Sequence, residues 1–342
     1  METRKKLYPL AVLGTKLVIA SLSAIPVLGC GLVFTFPEGF ILSGIQYGSQ
    51  AISTVTFVLS FLTFLIGVVL IYSDVKKLGD IPRSTAKALI TGMLGTSDRF
   101  PDELLSRSEH LVTRETVKLG ISELTANDIN AQVEMFNSEV KVRIYERFIL
   151  HNDCAKIYLG GLARIPFLVA YGSCFRAVSA KIKYFDRFHM DGDWRLLNDE
   201  EKGAKLIYDN PQKVQPNDNG QIGISISFTQ AIQKKQLSPA LKDHTLDIKT
   251  NLGNERNLIT NQGELERVSF EIQGIIDTFS SLADCDEIHF FIAVQSTVAL
   301  EIGRRFQEGI HKKWVIHNFN PTEGKYDWAL QVNKNSIHRY TL

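Results

Sequence analysis

The sequence predicts an α/β fold, built from one duplicated unit, behind an N-terminal two-helix transmembrane hairpin. Three observations carry this expectation. The first is the stretch Glu287-Ile288-His289-Phe290-Phe291-Ile292-Ala293-Val294, a continuous apolar run of the kind found in strands buried on both faces of a parallel sheet. It is followed by a polar break, Gln295-Ser296-Thr297, and a helical pattern with Ala299, Ile302, Phe306 and Ile310 on one face. Strand, polar turn and helix N-terminus is the arrangement in which open α/β sheets hold anionic ligands.

The second observation is that this pattern occurs twice. Ile157-Tyr158-Leu159 leads into Gly160-Gly161-Leu162-Ala163-Arg164-Ile165-Pro166, then a helix with Phe167, Tyr171, Cys174 and Val178 on one face. Ile157 and Ile288, Gly172 and Gly303, and Phe175 and Phe306 all stand 131 residues apart. Upstream, Val133, Phe136, Val140 and Ile144 match Leu265, Val268, Ile272 and Ile276 at an offset of 132. Downstream, Lys183-Tyr184-Phe185 matches Trp314-Val315-Ile316, and Gly192-Asp193-Trp194 matches Tyr326-Asp327-Trp328. A tandem duplication of about 128–210 and 214–342 follows, with a natural pocket where equivalent loops meet.

The third observation lies at the N-terminus. Residues 17–37 and 39–73 carry no charge, and about 20 apolar residues suffice for a helix to cross a bilayer. The spans are placed at 17–36 and 51–72, within a membrane region of 1–79. Arg4, Lys5, Lys6 and Lys16 precede the first span, Lys76, Lys77, Arg83 and Lys87 follow the second, and the connecting loop has no Lys or Arg. The positive-inside rule then puts both termini in the cytoplasm. A cleaved signal ending at Val27-Leu28-Gly29-Cys30 competes, but apolar sequence continues to Phe36 and a second span follows. Along the second span Ser49, Ser53, Thr56, Ser60, Thr63 and Gly67 share a face, suited to helix contact, and Val55, Val58, Leu62, Leu65, Ile66 and Val69 form an aliphatic face suited to lipid.

Residues 80–127 read as a partly helical neck, with short helical patterns at 86–94 and 101–112 after the break at Ile81-Pro82. Beyond the first unit, Asn210-Pro211 to Gly220 is turn-rich. Ile222 to Phe228 alternates like a strand, ends at Thr229-Gln230 and opens the second unit; Asn251 to Asn261 is another polar loop.

Charge excludes one function class. Residues 1–80 hold six basic and four acidic side chains, so of the chain's 38 and 37, 32 basic and 33 acidic groups remain for the rest. A near-neutral surface of this kind does not bind DNA or RNA duplexes generally. Cys30, Cys154, Cys174 and Cys285 are far apart with no Cys-x-x-Cys, which fits reduced thiols and neither zinc nor a disulfide framework. No P-loop, dinucleotide fingerprint or His-Glu-x-x-His occurs. His151-Asn152-Asp153 lacks a nucleophile in a recognisable elbow and reads as a turn; His289 reads as a hydrogen-bonded core residue. No catalytic, metal or cofactor site is assigned. Arg164, just past a strand end and before Pro166, either meets a phosphate bidentately or pairs with a nearby carboxylate. Thr229, Gln230, Gln295, Ser296 and Thr297 carry groups suited to base edges and phosphate oxygens, or alternatively to helix capping.

The run from Tyr158 to Phe167, with Ile288 to Phe306 and Tyr326-Asp327-Trp328, resembles SAVED domains. These are fused tandem CARF-like, Rossmann-like halves that bind cyclic oligonucleotide second messengers in bacterial CBASS anti-phage systems. The resemblance covers residues 128–342. It implies a cytoplasmic sensor for a cyclic di- or trinucleotide made by a partner CD-NTase, a nucleotidyltransferase, and ligand contacts from Tyr158, Gly161, Arg164, Thr229, Gln230, Gln295, Ser296 and Thr297. Joined to the hairpin, it implies a multi-pass effector of the bacterial inner membrane. Ligand-driven self-association of such an effector would disrupt the lipid bilayer and abort infection. Two alternatives stay open: a membrane-bound enzyme that cleaves the cyclic ligand, and a membrane anchor with a partner-binding α/β module.

Overall fold

The computed structural model describes residues 9–27, 54–80, 85–91, 100–105, 116–120, 128–150, 156–188, 192–333 and 336–342. The chain divides into two compact units, residues 1–83 with 105–112, and residues 84–104 with 113–342. Among the described residues, the first unit contains two helices, α1 (Pro9–Val27) and α2 (Thr54–Asp80). They pack antiparallel through glycines: a Cβ on Gly14 would lie 2.5 Å from the Gly67 carbonyl oxygen, and one on Gly67 2.8 Å from that of Gly14. Only hydrogen at both positions permits so close an approach of two backbones. The Asp74 carboxylate accepts the Ala11 N–H at 2.7 Å and so caps the start of α1. Ser60 and Thr63 are half-buried on the Gly67 side, and Leu62, Leu65, Ile66 and Val69 are exposed. The Thr63 hydroxyl donates to the Leu59 carbonyl of its own helix.

These helices differ from the expected spans. The first starts at Pro9, not Leu17. Among the described residues, Leu59–Lys76, with mean hydropathy 1.7, is the one helical segment long and apolar enough to cross a membrane; the apolar part of α1, Leu10–Ser21, is shorter. The expected hairpin tip, Ser49, Ser53 and Cys30 lie outside the described residues, as do His151, Asn152, Asp153 and Cys154.

Among the described residues, the second unit holds two sheets. The first takes β1 (Thr85–Thr91), β2 (Thr116–Gly120), β3 (Lys156–Leu162), β4 (Lys181–Arg187) and β5 (Trp194–Leu196) in the order β2-β1-β3-β4-β5. The second takes β6 (Leu206–Ile207), β7 (Gln221–Ser227), β8 (Thr245–Thr250), β9 (Glu287–Ala293), β10 (Lys313–Asn320), β11 (Lys325–Val332) and β12 (Ile337–Tyr340) in the order β12-β11-β10-β9-β7-β8-β6. Helix α3 runs from Ile129 to Leu150, with π-helical turns at Phe136–Val140 and Tyr145–Leu150; α4 is Ile165–Phe175, α5 Gln262–Ser280 and α6 Ser296–Arg304. Strands β2-β1-β3-β4 and β8-β7-β9-β10 are parallel ladders, and β5 and β11 add antiparallel to their ends. Element for element, β1-β2-α3-β3-α4-β4-β5 repeats as β7-β8-α5-β9-α6-β10-β11. The two halves share one topology, as the expected duplication would have them.

This topology moves the expected boundary. The expected neck supplies β1 and β2, so the first repeat begins at Thr85 and not near residue 128. The helical reading of 86–94 is overturned: Ala88, Leu89 and Ile90 are buried on both faces of a strand, and so short an apolar run cannot be told from a helix by periodicity. In place of a helix at 101–112 the structure has a 3-10 turn, Asp102–Leu104; residues 106–112 lie outside the described residues.

Two downstream matches also slip by one residue. Tyr158 pairs with Lys183, and its equivalent His289 pairs with Val315. Lys183 thus corresponds to Val315, not Trp314. Trp194 lies opposite Arg187, whereas Trp328 lies opposite Asn318, the equivalent of Asp186. The two tryptophans are therefore not equivalent. Since strand side chains alternate faces, a one-residue offset sends them to opposite sides. Trp194 packs on Phe185 and Trp328 on Phe167.

The halves meet through α4, which is apolar nearly all round, and α6, whose polar Ser296, Thr297 and Glu301 are buried along with its apolar residues. A Cβ on Gly172 would stand 2.1 Å from the Leu300 carbonyl oxygen, and one on Gly303 2.1 Å from that of Val169. Gly172 and Gly303 are equivalent, as are Val169 and Leu300. The contact is isologous, and an approximate two-fold axis passes between these glycines. One apolar core runs through both halves. His289 is buried with Nδ1 2.9 Å from His317 Nε2, a hydrogen-bonded core residue as expected.

Candidate ligand-binding site

The approximate two-fold brings two equivalent loops to the carboxyl ends of the parallel strands, where open α/β sheets bind ligands. Arg164 is the N-cap of α4 and Gln295 the N-cap of α6, both with extended backbone. Equivalent in position, they differ in what their side chains do.

At the second loop the helix terminus is already filled. Asp186, at the end of β4 in the first half, is 2% exposed, and its Oδ2 accepts from Gln295 Nε2 at 3.1 Å and Thr297 Oγ1 at 3.0 Å. Its Oδ1 accepts the Arg187 N–H at 2.9 Å. Burial pushes the Asp186 carboxyl up to about 6, against the pull of hydrogen bonds from Arg187, Thr297 and Gln295. An anion does sit at this helix N-terminus, and it belongs to the chain itself. Gln295 is committed further: Oε1 accepts the Ile259 N–H at 2.9 Å, and Nε2 donates to the Ile259 carbonyl at 2.8 Å. Ser296 and Thr297 are buried beside it. Of these three residues, all expected to touch ligand, Gln295 and Thr297 join the two halves.

At the first loop the equivalent of Asp186 is Asn318, whose amide donates to Asp327 Oδ1 at 3.2 Å, while Asn320 donates to Oδ2 at 3.0 Å. Arg164 is half-buried, with its guanidinium 5.7 Å from the centre of the Trp328 ring. Burial lowers its pKa, with the Asp327 charge acting in the opposite sense. Among the described residues no ion pair or hydrogen bond holds this guanidinium. Of the two readings of Arg164, a carboxylate is near but not bonded.

The remaining expected residues divide as well. Gly161 is a backbone requirement: its φ is +145, and a Cβ would stand 2.0 Å from the Ile90 carbonyl oxygen of β1. Tyr158 lies within β3, almost wholly buried. Thr229 is half-buried, its N–H donating to the Ala293 carbonyl, and Gln230 is exposed at the end of β7. The structure thus gathers Arg164 and the Gln295 loop at the strand ends but leaves Arg164, Thr229 and Gln230 as the accessible ones.

Sequence reasoning passed over the loop Asn251 to Asn261 as merely polar. It is a strap between the halves. The Asn254 amide donates to the Ser227 carbonyl at 3.0 Å, that of Asn257 to the Arg187 carbonyl at 3.1 Å, and that of Asn261 to the Asp199 carbonyl at 2.7 Å. Its excess of asparagine was the available signal. Asn318, Asn320 and Asp327 were missed too, since β10 and β11 close beside Arg164 only in three dimensions.

The sequence profile of the SAVED family, the SMODS-associated and fused to various effectors sensor domain, matches residues 141–332. Among solved structures, the chain is similar to an Acinetobacter baumannii Cap4 SAVED/CARF-domain containing receptor with the cyclic trinucleotide 3'3'3'-cAAA. The identity is 14%, the TM-score 0.48, and the alignment covers 80% of this chain and 58% of that one. A Moraxella osloensis Cap4 SAVED/CARF-domain containing receptor matches at 13% identity and TM-score 0.44, over 83% of this chain and 57% of that one. The chain therefore spans less than two thirds of the length of these receptors. No curated protein sequence matches it.

Proposed function

Because the chain belongs to the SAVED family, we propose that it senses a cyclic di- or trinucleotide at the carboxyl ends of its parallel strands. The observation that carries this reading is Arg164, a half-buried guanidinium at a strand end, braced on Trp328 and bonded to no carboxylate. Such a group is oriented for a phosphate and has little hydration to lose on meeting one. Thr229 and Gln230 offer hydroxyl and amide groups to base edges, and Gln295, Ser296 and Thr297 act indirectly by fixing the second loop.

In this reading α1 and α2 are the effector end. The exposed aliphatic face of α2 suits lipid, and the Gly14–Gly67 contact pre-packs the two helices as a hairpin in the inner membrane, with both termini cytoplasmic. A two-helix hairpin is too small to enclose an aqueous path, so membrane disruption requires several copies. Messenger from a partner nucleotidyltransferase of a CBASS system drives that assembly, and the infected cell stops growing. The protein acts as a binder and returns its ligand intact.

Calorimetry of the full chain in detergent against a panel of cyclic oligonucleotides tests the reading. One member of the panel binds, and Arg164→Ala weakens it by about 1.5–3 kcal/mol, the range for hydrogen bonds to a charged group. No binding across the panel, or cleavage of the bound ligand on long incubation, overturns it.

A further inference from the structure

We propose that Asp327 selects guanine as the base nearest Arg164 in the bound messenger. The inference rests on the nucleotide-sensing reading above and adds the identity of one base. The first observation is a break in the ladder between β10 and β11. Asn318 pairs with Trp328 and Phe319 with Tyr326, so Asp327 is an extra residue with no partner across the ladder. A bulge of this kind bends its strand and re-aims the side chain it carries, and bulges are frequent next to active sites. The corresponding ladder of the first half, β4 with β5, runs from Phe185 and Leu196 to Arg187 and Trp194 without a shift. Of the two ladders, only the one beside the open loop has the bulge.

The second observation is how the carboxylate is held. Asn318 and Asn320 each donate an amide N–H, to Oδ1 at 3.2 Å and to Oδ2 at 3.0 Å. They fix its plane and use about half of the roughly four acceptor sites of a carboxylate. Asp327 is exposed, its charge reaches Arg164, and among the described residues it has no other hydrogen bond and no ion pair. Lys325, two residues before it, pairs instead with Glu323 at 2.8 Å. One acceptor site therefore stays open on each oxygen. Two parallel acceptors match two adjacent donors, and guanine presents such a pair, N1–H beside the N2 amino group, on its Watson–Crick edge. In adenine and cytosine the amino group stands next to a ring-nitrogen acceptor, and in uracil N3–H lies between two carbonyls. Each of these sets a lone pair against the carboxylate and is disfavoured.

Calorimetry of the full chain in detergent should compare cyclic di- and triadenylate with the same rings carrying guanine, or hypoxanthine, in place of one adenine. Guanine should bind at least about tenfold more tightly than adenine, and hypoxanthine, which lacks the N2 amino group, about tenfold more weakly than guanine. Asp327→Asn turns one acceptor into a donor, the pattern that suits adenine, and should shrink the advantage of guanine at least about tenfold. Arg164→Ala, in contrast, should weaken every ring that binds by the same factor. The hypoxanthine comparison uses the unaltered protein, so it holds whether or not the Asp327→Asn variant folds. Equal affinity for guanine and adenine rings, no difference between guanine and hypoxanthine, or a guanine preference that Asp327→Asn leaves intact overturns the assignment of Asp327 and leaves nucleotide sensing standing. No binding by any ring overturns both.

Discussion

The two crossover loops of this protein are equivalent in sequence position, backbone conformation and place in the sheet, yet one is closed and the other open. At the second loop, Gln295 and Thr297 hold the Asp186 carboxylate from the opposite half. At the first, the residue in the place of Asp186 is Asn318, which turns to Asp327, and Arg164 is left without a bonded acceptor. Duplication supplied two potential anion sites; one became an internal joint, and the other keeps a cation facing outward. A pseudo-symmetric fold can thus present two different strand ends without altering its backbone.

The glycines on the axis give the largest effect by which to test the symmetry. Gly172→Ala and Gly303→Ala each drive a methyl into a backbone carbonyl at 2.1 Å, and backbone cannot swing away as a flexible side chain can. Each should lower stability by about 3 kcal/mol, measured by urea unfolding. A cost at one glycine and not at the other would break the claim that the contact is isologous.

The internal joint has a pH signature of nearly the same size. The Asp186 carboxyl is raised from its ordinary 3.8 to about 6 by burial. The folded state therefore binds the proton more tightly than the unfolded state, and this favourable contribution is complete below pH 3.8 and lost as pH rises through 6. The loss amounts to roughly 3 kcal/mol for a shift of about two units. Asp186→Asn keeps the shape without the charge, so it should lose this contribution and leave the opposite trend of the buried His289, His311 and His317, whose lowered pKa values reduce stability as pH falls below 6.5. Asn318→Asp, at the equivalent buried position, should show a dependence of the same sign, because burial and the adjacent Asp327 carboxylate both raise an aspartate there and no Gln295 or Thr297 donates to it. Unfolding free energies between pH 4 and 7 decide both.

Arg164 and Gln295 should then separate cleanly. Arg164→Ala loses the contact with Trp328, worth about 0.5–1 kcal/mol of stability, and most of its effect should fall on ligand affinity. Gln295→Ala strands the Ile259 N–H and carbonyl groups and should cost about 2 kcal/mol of stability, with affinity falling only as far as the fold does. If Gln295→Ala in a folded protein weakens binding as much as Arg164→Ala, the second loop is not closed and the comparison fails. The smallest effect is expected at Gln230, which is exposed. Its replacement by alanine should change stability by less than about 0.5 kcal/mol, and any loss of affinity there would extend the site to the end of β7.

Much of the architecture was written locally. The continuous apolar run at 287–294 and the alternation at 222–228 became β9 and β7, and Pro166 and the polar break at 295–297 lie at the starts of α4 and α6. The offset of 131 correctly paired Gly172 with Gly303 and Arg164 with Gln295. It failed from β4 onward because the link between α6 and β10 is one residue longer than its counterpart, and a strand turns such a slip into a change of face. The site was half legible. The two strand-end loops were located, but Gln295 and Thr297, expected to meet ligand in one of them, bond to the protein itself.

By itself the sequence determined the duplication, the class of fold and the apolar character of the N-terminus. Each follows from spacing and hydropathy among residues close together in the chain. Only the tertiary structure decided that residues 85–91 and 116–120 are strands of the first repeat. It alone decided that Gln295 reaches Asp186, 109 residues away, and that Arg164 rests on Trp328. A hydrogen bond across such a separation leaves no periodic trace, because its two ends are brought together by packing that neither of them encodes.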